Sequence, residues 1–363
     1  MVCQICKACL TSWQRAWTDS GQAQQKGRAE MSAQTSAYAS DALTGETVDV
    51  VVIGGGAAGL NGALMLARSR RSVVVVDSGD PRNAPAEAMH GFIVLDGTPP
   101  AEILERGREQ VRHYGGKVVF GEVTAAEPAE APDGGDLRFT VTLSDDRTIT
   151  ARRVLVATGL RDVLPDVPGL AEHWGHGVVH CPYCHGWEAR DEAIGVLATG
   201  PASVHHALLF RQLSDDLVYF TRDNELDENT RERFAARGIR IVDIAVEEVL
   251  AADDGSVAGL RLADGSVIAR RILAVATRMQ ARTDGLDGLR LPMEDLPDNM
   301  GRRFVSGPAG TTDVPGVWVA GNATDPAAQV GASAAAGALA AAHINSLLVT
   351  TDTDAALNRA TTG

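Results

Sequence analysis

Residues 48–59 read Val48-Asp49-Val50-Val51-Val52-Ile53-Gly54-Gly55-Gly56-Ala57-Ala58-Gly59, an apolar run that breaks into glycine and then into small residues. A short β-branched run ended by glycine reads as a buried strand, and the residues that follow, through about Arg68, open a helix. Within the turn, Gly54-x-Gly56-x-x-Gly59 has the spacing of a dinucleotide-binding loop. The first glycine permits the tight turn, the second lets the backbone approach a pyrophosphate at the helix N-terminus, and the third allows close helix–strand packing. A second strand, 73–76, leads into Asp77, placed where a carboxylate accepts a hydrogen bond from an adenosine ribose hydroxyl.

Working outward, segments 117–122, 137–143 and 148–156 alternate as a meander that returns to the sheet and ends at Ala157-Thr158-Gly159. The same plan then recurs. Residues 194–197 read as a strand, Thr199-Gly200-Pro201-Ala202-Ser203 as a turn, 204–213 as a helix and 217–220 as another strand. A second meander ends in Ala269-Arg270-Arg271-Ile272-Leu273-Ala274-Val275-Ala276-Thr277, which echoes Ala151-Arg152-Arg153-Val154-Leu155-Val156-Ala157-Thr158. Two related nucleotide-binding units explain the echo, and 363 residues suit two domains. A last strand, 317–320, precedes Gly321 and Asn322, and a small-residue helix covers 331–347. Gln329 and Val330 stand at its head, where partial positive charge stabilises an anion. The expected fold class is α/β, with two Rossmann-like (three-layer ββα) nucleotide-binding domains, the second inserted into the first.

Hydrophobic residues make up 45% and charged residues 22% of the chain, the balance of a water-soluble globular protein. No uninterrupted apolar run approaches the ~20 residues of a membrane span, so no membrane association is expected. The net charge of −14, with no basic cluster to offset it, argues against nucleic acid. Residues 1–46 are rich in Gln, Ser, Thr and Ala without apolar periodicity and read as a disordered extension, with Met31 as an alternative start. They contain no signal-peptide core, which points to the cytoplasm. Cys3, Cys6 and Cys9 in that segment resemble part of an iron–sulfur run but lack a fourth ligand, and no metal is expected.

The remaining cysteines form Cys181-Pro-Tyr-Cys184. Two intervening residues hold two sulfurs close enough to form a disulfide and to lower one thiol's pKa. Covalent haem, suggested by His185 directly after Cys184, belongs to exported proteins. Zinc would draw on the same thiolates with His176, His180 or His185. A glutaredoxin shares the four-residue motif but places it at the start of a small domain.

The glycine loop, Ala157-Thr158-Gly159, the mid-chain cysteine pair and Ala320-Gly321-Asn322 with Gln329, in that order, resemble the low-molecular-weight thioredoxin reductases over residues 47–347. The resemblance implies a homodimer with an FAD-binding domain (47–163 and 290–348), an inserted NAD(P)H-like domain (164–289) carrying the cysteines, and a flexible tail (349–363). It implies FAD contacts from Gly54, Gly56, Ala57, Ala58, Gly59, Asp77, Ala157, Gly159, Gly321, Asn322, Gln329 and Val330. It also makes Cys184 the flavin-side sulfur and Cys181 the interchange sulfur. Three departures bear on direction. The second phosphate loop of the family, G-x-G-x-x-A, is represented by Ala198, Gly200 and Ser203; the basic clamp for a 2′-phosphate is replaced by Thr221-Arg222-Asp223; and His185 stands where the family has an acid/base aspartate. His90 is a secondary candidate for that proton work. NADPH is thus an alternative cofactor against which these departures argue. The Cys-Pro-Tyr-Cys-His-Gly-Trp run resembles the gliotoxin- and holomycin-type dithiol oxidases, which implies oxidation of a small-molecule dithiol with oxygen as acceptor. An NADPH-dependent reductase of thioredoxin-like proteins or small disulfides is the alternative, and a flavin-bound redox sensor is an alternative of another class.

Overall fold

The structure is a computed structural model that describes residues 46–130 and 136–362. Cys3, Cys6, Cys9 and Met31 lie outside the described residues. The strand that opens the described chain is Glu46–Ile53, followed by the helix Ala57–Arg68 and the strand Val73–Asp77. Both strands consist of valine and isoleucine at their centres and are buried on both faces, as a parallel sheet covered by helices requires. The strand Lys117–Phe120 differs from the expected meander: it pairs in parallel with Val73–Asp77 and is reached through a helix, Pro100–His113. That helix buries Leu104 and Val111, seven residues apart and so on one face. Only Val123–Ala129, Arg138–Leu143 and Thr148–Val156 form the antiparallel meander. Thr148–Val156 then pairs in parallel with the opening strand on one side and with Val317–Val319 on the other.

A second parallel sheet repeats this order. Arg240–Val242, Leu217–Phe220, Ile194–Leu197 and Ile272–Val275 follow one another across it, as Lys117–Phe120, Val73–Asp77, Glu46–Ile53 and Thr148–Val156 do in the first. The correspondence extends to hydrogen bonds. Gly54 N–H donates to Val76 O (2.8 Å) in the first unit, and Ala198 N–H to Phe220 O (3.0 Å) in the second. Its own meander is Val246–Ala251, Val257–Leu262 and Val267–Ala269. The chain leaves the first unit along Leu160–Val163 and returns along Arg278–Ala281, and these two strands pair antiparallel.

The last helix, Val330–Thr362, runs well past the expected end near residue 347. Residues 349–362, expected as a flexible tail, continue it. The reason is an ionic anchor: Asp352 pairs with Arg71 and with Arg152, each at 2.6 Å. By length and composition the helix is apolar enough to cross a membrane, but its inner face is packed. Ala340, Ala341, Ile344 and Leu348 join the core of the first unit. A Cβ on Gly337 would lie 1.9 Å from Ala58 O, so this helix touches the dinucleotide helix backbone to backbone.

Candidate active site

The motif glycines Gly54, Gly56 and Gly59 serve two different ends. Gly54 has φ 110°, and a Cβ there would lie 2.3 Å from Ala157 O; one at Gly59 would lie 1.8 Å from Gly54 O. Both therefore serve packing inside the turn. At Gly56 a Cβ would meet nothing within 4 Å, so this backbone faces open space at the head of the helix. That space is a cavity of about 440 Å³ which runs from Asp77 past Ala157 and Gly159 to Cys181, Cys184 and His185. Gly54, Gly56, Ala57, Ala58, Asn322, Gln329 and Val330 also line it. Gly59 and Gly321 do not; each lets two elements approach, Gly321 with φ 77° and a Cβ position 2.8 Å from Ala58 Cβ.

Asp77 is held for recognition at one end of the cavity. Its carboxylate accepts from Gly79 N–H (3.0 Å) and from Arg108 (2.9 Å), and both partners of this ion pair are almost fully buried. At the other end Asn322 donates to Ala328 O (2.7 Å) and thereby shapes the turn that delivers Gln329 and Val330 to the helix N-terminus. Ser333, one turn into that helix, lines the cavity with a buried hydroxyl that has no hydrogen-bond partner among the described residues. Open backbone at Gly56, an acceptor at Asp77 and an orphan hydroxyl at Ser333 suit a large ligand with a polyanionic middle, and FAD fits them.

Cys181 and Cys184 are joined as a disulfide with Cα atoms 5.2 Å apart. Cys181 caps the short helix Pro182–His185, and its sulfur accepts from Cys184 N–H (3.1 Å). An amide aimed at this sulfur favours its thiolate once the bond opens. Among the described residues no group of three or more His, Cys, Asp and Glu side chains is arranged to hold a metal.

Two imidazoles flank the pair. Both ring nitrogens of His185 are buried without a partner, and burial lowers its pKa, with Glu188 opposing and His90 and His180 adding to the effect. His180 is held much more firmly. Its Nδ1 lies 3.0 Å from Val275 O and 3.3 Å from Thr277 Oγ1. Thr277 donates its hydroxyl to Asp162 (2.5 Å), and Asp162 is gripped by Arg82 through two bonds of 2.6 and 2.7 Å. Burial works against the Asp162 carboxylate, but the Arg82 contacts outweigh it and keep its pKa below the ordinary value. His180 itself is pushed down by burial, with Asp162 opposing. The Thr277 N–H also points at Nδ1 (3.2 Å), so the Val275 carbonyl favours a proton on Nδ1 and the Thr277 amide disfavours it, and Nε2 makes no hydrogen bond among the described residues. The cluster Arg82–Asp162–Thr277–His180 fixes the imidazole in place, and its four residues come from separate parts of the sequence.

A model of the pyridine nucleotide-disulphide oxidoreductase family matches residues 48–342. The chain belongs to that family. It is 35% identical over 288 residues to "Thioredoxin reductase tcpT" of Claviceps purpurea, covering 77% of this chain and 87% of that one. It is 30% identical to "Thioredoxin reductase sirT" of Leptosphaeria maculans over 82% of this chain and 93% of that one. Among solved structures, HlmI is 44% identical with a TM-score of 0.81, over 88% of this chain and 99% of that one. The chain is thus a thioredoxin reductase-like flavoprotein acting on dithiols and disulfides, with FAD as its cofactor.

In this oxidoreductase the second nucleotide loop is closed upon itself. Thr199 N–H, an amide that a phosphate would need, donates to Ser203 Oγ (2.9 Å), and the Thr199 hydroxyl donates to Ala276 O (2.6 Å). Arg222 donates to Ala198 O (2.9 Å), and burial lowers its pKa with Asp223 opposing. The carbonyl of Asp298 stands 3.5 Å from where a Gly200 Cβ would be. A second cavity of about 360 Å³ remains beside this loop and shares His180 and Met279 with the first. The residues present do not form a phosphate cradle.

Proposed function

We propose that this oxidoreductase oxidises a small-molecule dithiol to its disulfide, with oxygen as terminal acceptor and without NADPH. The observation that carries this reading is the self-satisfied second loop: Thr199 N–H is spent on Ser203, and Arg222 on Ala198. Electrons then have one protein entrance, the Cys181–Cys184 disulfide. The kinship with gliotoxin- and holomycin-type dithiol oxidases points the same way.

His180 is assigned the removal of a proton from the first substrate thiol, with His185 as the second imidazole at the pair. The thiolate attacks Cys181 Sγ, the Cys181–Cys184 bond breaks, and Cys184 leaves as thiolate. The second substrate thiolate attacks its partner sulfur in the mixed disulfide, which closes the substrate disulfide and releases Cys181. Two electrons and two protons have left the substrate. When Cys181 and Cys184 re-form their disulfide they release the electron pair, for which bound FAD would supply the two-electron acceptor and the route to oxygen, with hydrogen peroxide as product. Gly54, Gly56, Ala57, Ala58 and Asp77 would hold its adenosine diphosphate end, and Gln329, Val330 and Ser333 its flavin end.

The division into an FAD-binding part (47–163 and 290–348) and an inserted part (164–289) is also our reading, supported by the paired crossing strands Leu160–Val163 and Arg278–Ala281. A homodimer is supported by the exposed Leu339, Leu347 and Val349 on the last helix. Oxygen uptake tests the reading: in air, with dithiol and no nucleotide, the expected result is equimolar peroxide and substrate disulfide. Turnover only after addition of NADPH overturns it.

A further inference from the structure

The second cavity, beside the closed nucleotide loop, has no occupant in the chemistry above. It lies between the crossing strands Leu160–Val163 and Arg278–Ala281, the helix Ala202–Phe210 and the turn at residues 298–300. The polar groups around it are largely turned onto the protein. The Thr199 hydroxyl is spent on Ala276 O, Arg222 on Ala198 O (2.9 Å), and His206 Nε2 on His180 O (2.5 Å). Val163, Leu164, Pro165, Leu209, Met279 and Met300 supply a mainly apolar wall. A space whose polar atoms are mostly paired within the protein does not demand a polar ligand, and an apolar one takes up small apolar molecules such as xenon.

Its place relative to the redox pair follows from His180 and Met279, which line both cavities. His180 directly precedes Cys181, so the shared wall stands at the cysteine end of the first cavity. His180 is clamped at its ring and at its carbonyl. Met279 is clamped along its backbone: its N–H donates to Met300 O (2.8 Å), and a Cβ on Gly301 of the neighbouring strand would stand 1.7 Å from Met279 O. Its unbranched, half-buried thioether side chain is therefore the movable part of the partition. Val163, 42% exposed, gives the second cavity a side toward solvent.

The reaction has two substrates, and the dithiol must occupy the face of the pair to reach Cys181 Sγ. Oxygen needs the flavin and has no use for that face. We propose that the second cavity is the oxygen inlet, through which dioxygen passes Val163 and the Met279 side chain to the flavin end of the first cavity. There it takes up the two electrons and two protons that left the dithiol and departs as hydrogen peroxide. The inference rests on the dithiol-oxidase reading of the same enzyme.

The test uses FAD-loaded enzyme reduced anaerobically with dithiothreitol and then mixed with oxygenated buffer. Val163→Phe and Ala202→Phe enlarge side chains that line the second cavity but not the first, and both positions are at least partly exposed, which leaves the larger ring room. The expected result is reoxidation about tenfold slower than in wild type, with bleaching by dithiothreitol unchanged. Xenon-pressurised crystals of the same enzyme supply a readout that needs no turnover: xenon should bind beside Leu164, Met279 and Met300 in wild type and be absent from Ala202→Phe. Reoxidation at the wild-type rate in both variants overturns the inlet. So does equal slowing of bleaching and reoxidation, which would make the cavity a support for the cysteine pair, and so does a wild-type cavity that holds no xenon. Wild-type enzyme that dithiothreitol does not bleach, or that air does not recolour, overturns the underlying function, and this is seen before any substitution is made.

Discussion

Replacing His180 with glutamine removes the firmly seated imidazole assigned as base beside the cysteine pair while keeping a side chain that can still donate to Val275. A general base contributes about 10²–10⁴-fold, equal to about 3–5 kcal/mol of barrier, and the firm seat of His180 on Val275 and Thr277 places the expectation within that range. Thr277→Val cuts only the link between His180 and Asp162. Because Arg82 still holds Asp162, a loss of about fivefold is expected, the worth of one hydrogen bond of ~1 kcal/mol. The assay is anaerobic stopped-flow bleaching of the flavin by dithiol over about pH 6 to 9. Burial lowers the His180 pKa below its ordinary 6.5, so wild type should hold its rate down to mildly acidic pH and lose it only as the imidazole takes up a proton. In His180→Gln that acid limb vanishes, and the rate follows ionisation of the substrate thiol, near 8.5 for an ordinary thiol. A His180→Gln rate within threefold of wild type, or a large loss confined to His185→Gln, refutes this assignment.

Three other outcomes follow from the same geometry. Gly56→Ala should fold with unchanged stability yet bind FAD at least tenfold more weakly, because its Cβ meets only ligand space; Gly59→Ala, blocked 1.8 Å from Gly54 O, should lose folded yield instead, as thermal melting and flavin absorbance will report. Ser333→Ala should weaken FAD binding by about five- to tenfold, the worth of a buried hydroxyl's hydrogen bond, measured as flavin released on dilution; unaltered retention would remove Ser333 from the site. His206, whose pKa burial pushes down to about 4 from an ordinary 6.5, is neutral in the folded chain and takes up a proton first when unfolded. Its contribution is therefore intact above pH 6.5 and is lost progressively toward pH 4, costing about 2 kcal/mol at pH 5. Urea denaturation of wild type and His206→Gln at pH 7.5 and 5 should show a smaller acid loss in the variant.

The parts legible in the sequence are those whose chemistry is local. Gly54, Gly56 and Gly59 announce their loop because the turn, the open approach and the tight packing are set within six residues. Cys181 and Cys184 do the same through a two-residue spacer, and the doubled sheet was visible in the echo of Ala151-Arg152-Arg153 by Ala269-Arg270-Arg271. The His180 seat was not visible, since Arg82, Asp162, Thr277 and His180 meet only after both units have folded. Ser333 was hidden for another reason: in a helix of alanine and glycine, nothing marks one serine as facing a cavity. The reach of the last helix to Thr362 depends on Asp352 finding Arg71 and Arg152, side chains 281 and 200 residues away, and no apolar period records that. The second loop lay between these cases. Ala198 and Ser203 signalled a weakened phosphate site, but only the structure places Ser203 Oγ on the Thr199 amide.

The direction of electron flow is the central claim, and one anaerobic mixing experiment bears on it most directly. The FAD-loaded enzyme is mixed with NADPH and, separately, with a dithiol, and the flavin absorbance is followed in each. The account predicts bleaching by the dithiol alone and recovery of colour when air is admitted. Rapid bleaching by NADPH would contradict it and make this chain a reductase.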